Sequence, residues 1–144
     1  MLSKSKPIAF VATSNPTKAR EFYQRVLGLR CVSSDQYALV FDARGTMLRV
    51  QIVNAVNPHQ YTSLGWEVFD IKKEIGALTG QGVRFERYEG MGQDEDGIWT
   101  SPSGGRIAWF KDPDDNILSL TQFMSRRVRT SGRRQRATQK RRRK

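Results

Sequence analysis

Few side chains in this sequence are of the kinds that do chemistry, and they are widely spaced. His59, the sole histidine, stands beside Pro58 in a polar stretch and is read as a linker residue rather than as a ligand or a base. Cys31, the sole cysteine, opens a short strand with no histidine near it in sequence, so it is read as a small core residue. One cysteine also excludes an internal disulfide and suits a reducing compartment. Glu67 is a carboxylate without a visible partner, and general acid–base work needs one. Asp94, Glu95 and Asp96 form an acidic run next to Trp99. As a functional element it would be a lid or a cation-binding edge; charge runs in loops usually face water, and that reading is preferred. These residues do not form a constellation for nucleophilic catalysis or metal binding.

The elements that must position these groups are legible from periodicity. Ile8 to Thr13 reads as a strand, with Ser14 or Asn15 as a helix cap and Pro16 in the first turn. Ala19, Phe22, Tyr23, Val26 and Leu27 then mark one helical face, and Gly28 ends it. Leu29 to Ser33, Gln36 to Asp42 and Thr46 to Val53 follow as strands, giving the order βαβββ. Residues 54–62 read as a linker. The order then recurs: a strand at Ser63 to Phe69, a helix capped by Asp70 with Ile71, Ile75 and Leu78 on one face, and a stop at Gly80 and Gly82. Strands are expected at Val83 to Arg87, Ile98 to Ser101, Arg106 to Lys111 and Ile117 to Thr121. Pro102 to Gly105 and Asp112 to Asn116 are the turns between the last three, the second needing a residue tolerant of positive φ. Gly28-Leu29-Arg30 and Gly82-Val83-Arg84 are equivalent points, 54 residues apart, which argues for duplication of one unit.

Charge divides the chain differently. Residues 125–144 hold 11 of the 25 Lys and Arg and no acid, so the remaining 14 basic residues balance the 14 acidic ones. A neutral globular body over 1–124 is therefore followed by a basic tail, expected to be disordered or extended because it has almost nothing apolar to bury. A segment of this density, taken as 126–144, is expected to bind polyanions through phosphate contacts without sequence preference; the alternatives are an appended segment that alters solubility only and an extension with no role. No apolar run approaches a membrane span, and Met1 to Pro7 lacks the apolar core of a signal peptide, so a soluble cytoplasmic protein without membrane contact is expected.

The paired βαβββ order, the helix motif Glu21-Phe22-Tyr23-x3-Leu27-Gly28, and Trp109-Phe110-x-Asp112-Pro113-Asp114-x-Asn116 together resemble the vicinal oxygen chelate superfamily. That group includes glyoxalase I, bleomycin-resistance proteins, fosfomycin-resistance enzymes and extradiol dioxygenases. The resemblance covers 8–123, and QDEDGIW (93–99) with AWFKDPD (108–114) is similar to a subgroup of bacterial members. It implies an α+β fold of two βαβββ modules, 7–53 and 63–123, in a curved mixed sheet with a cup-shaped cavity. It also implies that a homodimer is common.

Metal-dependent members hold a divalent ion with four side chains. The resemblance puts those positions at Ile8, Arg49, Ser63 and Ser119. Isoleucine cannot coordinate, arginine repels a cation, and serines are poor ligands, so no metal and no other cofactor is expected. What remains is a metal-independent protein that binds a small aromatic or amphipathic ligand. Alternation places Phe10, Met47, Arg49, Gln51, Ile107, Trp109, Ser119 and Thr121 on the cup face. Counting from Ser63 adds Gly65 and Glu67, and Trp99, beside the acidic run, is counted among the ligand contacts. An apolar cup with one cation and a few hydroxyls suits a ligand with a negative group. The competing reading is a lyase or dioxygenase with relocated ligands, or with Glu67 as a metal-free base.

Overall fold

A computed structural model describes residues 1–124. After a short 3₁₀ turn at Leu2–Lys4, strand β1 (Ile8–Thr13) leads into α1 (Pro16–Arg20), which continues as a π-helical segment over Glu21–Val26. Strands β2 (Arg30–Ser34), β3 (Ala38–Ala43) and β4 (Thr46–Ile52) complete the first module. The second has β5 (Thr62–Glu67), α2 (Ile71–Gly80), β6 (Trp99–Thr100), β7 (Arg106–Lys111) and β8 (Ile117–Gln122). Among the described residues these strands form two four-stranded mixed sheets, ordered β1-β4-β3-β2 and β5-β8-β7-β6. In each, the module's first strand runs parallel to its last, and the remaining pairs are antiparallel.

The helices begin and end for local reasons. Asn15 caps α1 by accepting a hydrogen bond from the Lys18 N–H, with Pro16 at the position where a missing N–H costs nothing. Asp70 caps α2 in the same way through Lys73. The chain leaves both helical segments through a glycine in the left-handed region, Gly28 at φ 74° and Gly82 at φ 90°. The next amide then reaches back, Leu29 to the Tyr23 carbonyl and Val83 to the Leu78 carbonyl.

One core lies on the helix side of both sheets. Val11, Leu48, Val50 and Phe41 from the first sheet meet Ala108, Phe110, Leu118 and Leu120 from the second, with Tyr23, Ile71 and Ile75 from the helices. Cys31 packs partly against this core. Among the described residues the opposite faces carry no helix, and they are called open below. On β1 and β4 the contrast is sharp: Val11, Leu48 and Val50 are buried, whereas Ile8, Phe10 and Met47 are 49%, 55% and 42% exposed.

The sequence expectations need four corrections. Val83 to Arg87 is not a strand: Phe85 makes a single bridge to Phe110, and the Glu86 amide bonds the Trp109 carbonyl. The free edge of β7 is shared, since β6 already takes its Arg106–Ile107 end. The strand expected from Gln36 starts at Ala38, because Asp35 accepts from the Tyr37 and Ala38 amides in a turn of its own. The linker ends one residue early, at Tyr61, because β5 starts at Thr62. Finally, a bulge between Thr62 and Leu64 breaks the alternation counted from Ser63. The tail expected over 125–144 lies outside the described residues.

Candidate functional site

The open face is built by register. Parallel pairing of β1 with β4 sets Ile8 beside Met47 and Phe10 beside Arg49, so these four side chains leave the sheet on one side. Antiparallel pairing of β3 with β4 adds Ala38 beside Gln51 and Asp42 beside Met47. Arg30 reaches Asp42 at 3.7 Å. Arg49 lies near enough to Asp35 to help hold that carboxyl below the usual range, after the two backbone amides that are the main cause. The first sheet therefore presents apolar side chains interspersed with charges that have opposite charges close by.

The second sheet presents aromatics and hydroxyls. Glu67, Thr121, Ile107 and Trp99 form one cross-strand row, and Gly65, Ser119 and Trp109 the next. The Trp109 indole donates to the Thr62 hydroxyl at 3.1 Å. Thr62 is on β5 and Trp109 on β7, so the ring lies across β8, above Ser119 and Ile117, and both are buried. Tyr88 meets Trp109 edge to face with ring centres 5.7 Å apart, and Trp99 is tilted against it at 6.2 Å. Burial raises the Tyr88 phenol above its ordinary value, with Glu86 adding to the shift. Gly65 has a steric reason: a β-carbon there would come within 2.4 Å of the Ser119 hydroxyl oxygen.

The four positions that the resemblance assigned to metal ligands are placed as follows. Ile8, Arg49 and Ser119 lie on the open face. Ser63 is the extra residue of the β5 bulge, and Thr62 takes the open-face position instead. An aliphatic chain, a guanidinium and two hydroxyls are not a donor set for a divalent ion, so the residues present do not fit the group. Among the described residues no three His, Cys, Asp or Glu side chains gather as a ligand cluster elsewhere.

A cavity of about 500 Å³ opens where the linker passes over the end of β1 and β4 and the start of β5. Phe10, Gln51, Val56, His59, Tyr61 and Ser63 are among its walls. The His59 imidazole stacks on the Tyr61 ring, 4.7 Å between centres and 9° from parallel. Periodicity reads 54–62 as a connection and sets His59 aside, because linker residues share no repeating face. The aromatic pair His59-x-Tyr61 was the only hint of a wall.

The remaining candidates are engaged locally. Asp94 accepts from the Asp96 and Ile98 amides, and Arg87 donates to the Asp94 and Glu95 carbonyls. Asp96 lies 3.8 Å from Lys72. The Cys31 thiol donates to the Ser33 carbonyl.

The two modules are joined by the turn between β7 and β8. Asp112 is buried and accepts from the Tyr23 hydroxyl (2.6 Å), the Asn116 side chain (2.8 Å), and the Asp114 and Asn116 amides. Asp114 accepts from Thr13 and Ser14 of the first module, and the Asn116 side chain donates to the Ala12 carbonyl. Burial is the largest influence on Asp112 and raises its carboxyl above the ordinary range despite these donors. Burial and the neighbouring Asp112 likewise hold the Tyr23 phenol far above its usual value, so it stays a donor.

No family model matches the sequence, and no curated protein matches it. Solved structures do match in shape. A glyoxalase family protein from Enterococcus faecalis superposes with a TM-score of 0.68 at 20% identity, covering 84% of this chain and 99% of that one. A genomically encoded fosfomycin resistance protein from Listeria monocytogenes gives 0.67 at 13%, covering 85% and 95%. A lactoylglutathione lyase from Agrobacterium tumefaciens gives 0.65 at 15%, covering 83% and 95%. At such identities the likeness is one of fold, and this fold carries more than one activity.

Proposed function

We propose that this chain, which has the paired-module fold of the glyoxalase/bleomycin-resistance/dioxygenase superfamily, is a metal-independent small-molecule-binding protein. The observation that carries the reading is the open face of the second sheet. There Trp99, Trp109 and Tyr88 form an aromatic surface beside the hydroxyls of Thr62 and Thr121, and the four positions where a metal-dependent relative would need imidazole or carboxylate hold Ile8, Arg49, Ser63 and Ser119. Such a surface suits an aromatic or amphipathic ligand, with Arg49 available to a negative group. Phe10, Met47, Gln51, Glu67, Ile107 and Ser119 complete the proposed contacts. A second copy seats on the exposed apolar side chains of the first sheet's open face, making the working form a homodimer. No helix among the described residues is long and apolar enough to cross a membrane, and the single thiol suits a cytoplasmic setting.

Elemental analysis of protein truncated after Met124 and purified without an affinity metal tests the first half: a stoichiometric divalent ion overturns it. Anilinonaphthalene sulfonate, an aromatic anion, tests the second. Trp109→Ala should weaken its binding about tenfold, equivalent to about 1.4 kcal/mol, with the fold intact by circular dichroism. Undiminished binding removes Trp109 from the site.

Composition favours a second, additive role. With 11 Lys and Arg and no acid over 125–144, the tail is proposed to bind polyanions electrostatically. Retention on heparin should fall steeply with salt and vanish on truncation after Met124; retention that survives truncation assigns it to the body.

A further inference from the structure

We infer that the cavity under the linker is a second binding site, one that takes an uncharged, planar molecule bearing amide-like hydrogen-bonding groups. This goes beyond the open-face reading, because the cavity lies at the junction of the modules and only Phe10, Gln51 and Thr62 belong to both. Three observations carry it. The first is charge: none of the residues lining the cavity is Asp, Glu, Lys or Arg. An ion entering it would lose hydration and gain no countercharge, so the lining selects against charge of either sign.

The second observation is shape. The His59–Tyr61 stack forms a flat π wall, Phe10 lines the same space, and about 500 Å³ suits a ligand of one or two rings. The third is hydrogen-bonding capacity. The side chains of Gln51, Asn57 and Ser63 make no hydrogen bond to other described residues, so two amides and a hydroxyl are free to pair with a ligand. An amide side chain offers a donor and an acceptor together, and a planar amide matches both at once. Two further polar side chains of the lining are already engaged, Asn116 with Ala12 and Asp112, and Thr62 with the Trp109 indole.

The test uses three probes of nearly one size and shape that differ in charge: benzamide, benzoate and benzamidinium. His59 is the only histidine, so its ring protons give a single assignable pair of signals in the full-length protein. Titrations are run at one fixed pH. Benzamide should shift the His59 signals saturably, and the two ions at the same concentration should leave them in place. Ala55→Trp, which fills the cavity from the linker, should abolish saturation, and Gln51→Ala should weaken it at least threefold. Equal shifts by all three probes, no shift with benzamide, or saturation that survives Ala55→Trp overturns the inference. Benzamide that quenches tryptophan fluorescence without moving His59 overturns it too, while leaving the open-face site standing.

Discussion

Gly65 and Ser119 show how one side chain dictates another. The Ser119 hydroxyl occupies the space a β-carbon at 65 would need, and with the indole of Trp109 lying over β8 the serine has little room to turn. Gly65→Ala alone should therefore destabilise the chain by about 1–3 kcal/mol, as overpacking does. With Ser119→Ala in place the nearest atom becomes the Ser119 backbone oxygen at 3.5 Å, and the cost should largely disappear. Chemical denaturation of the two single variants and the double variant gives the coupling. Additive effects would mean that the hydroxyl turns away freely. The same residue illustrates the limit of reading positions by type: Ser119 was legible as an open-face residue from alternation, but its cover by Trp109 was not. A ring that crosses from β7 to a hydroxyl on β5 is a contact between strands 47 residues apart in sequence.

The turn at Asp112 to Asn116 was recognisable from its composition, and Asp115 does take positive φ, at 66°. Its second role was hidden, because a turn motif does not say what its carboxylates face. Here Asp112 receives Tyr23 from the other module, and Asp114 receives Thr13 and Ser14. Because Asp112 is raised in the folded state, its folded form binds the proton more tightly than the unfolded chain does. Its contribution to stability is full below the ordinary carboxyl range and is lost as pH rises through the folded value. Asp35, lowered by its backbone donors, acts in the opposite sense: its contribution is present above the ordinary range and lost in acid. Asp112→Asn removes the first titration and keeps the second. The melting-temperature gap between wild type and Asp112→Asn should thus be widest in acid and narrow as pH rises past the ordinary carboxyl range. A gap that grows with pH would show that the four donors outweigh burial. The turn between β3 and β4 contains a further feature that periodicity cannot show: Arg44 sits at φ 49°, a conformation usually left to Gly, Asn or Asp.

For the molecule as a whole, the asymmetry between the open faces is the main clue to assembly. Ile8, Phe10 and Met47 stand out from the first sheet at exposures near one half, whereas the second sheet covers its own face with Trp109. Large apolar side chains grouped on a sheet mark an interaction surface. If a second copy seats there, Phe10→Asp should convert a dimer to a monomer in sedimentation while leaving the helix-side core unchanged. A wild-type protein that sediments as a monomer at micromolar concentration would refute the proposed assembly.

The element order of the first module, the duplication, the Asp70 cap and the two-faced alternation of β1, β4, β7 and β8 were determined by the sequence alone, and the cap of α1 was narrowed to Ser14 or Asn15. Each is set by neighbours within a few residues, through φ preferences, capping and the periods of strand and helix. That the four side chains which the resemblance sets against metal ligands are poor donors was equally visible, because it depends on side-chain chemistry and not on geometry. Folding in three dimensions decided the rest. It split the free edge of β7 between β6 and Phe85, bulged β5 so that Ser63 left the open face, joined the modules through Tyr23 and Asp112, and brought the linker's His59 and Tyr61 beside Phe10 and Gln51. Those outcomes turn on which strand edge is free and which buried group finds a partner, and both are settled between segments that lie far apart in the chain.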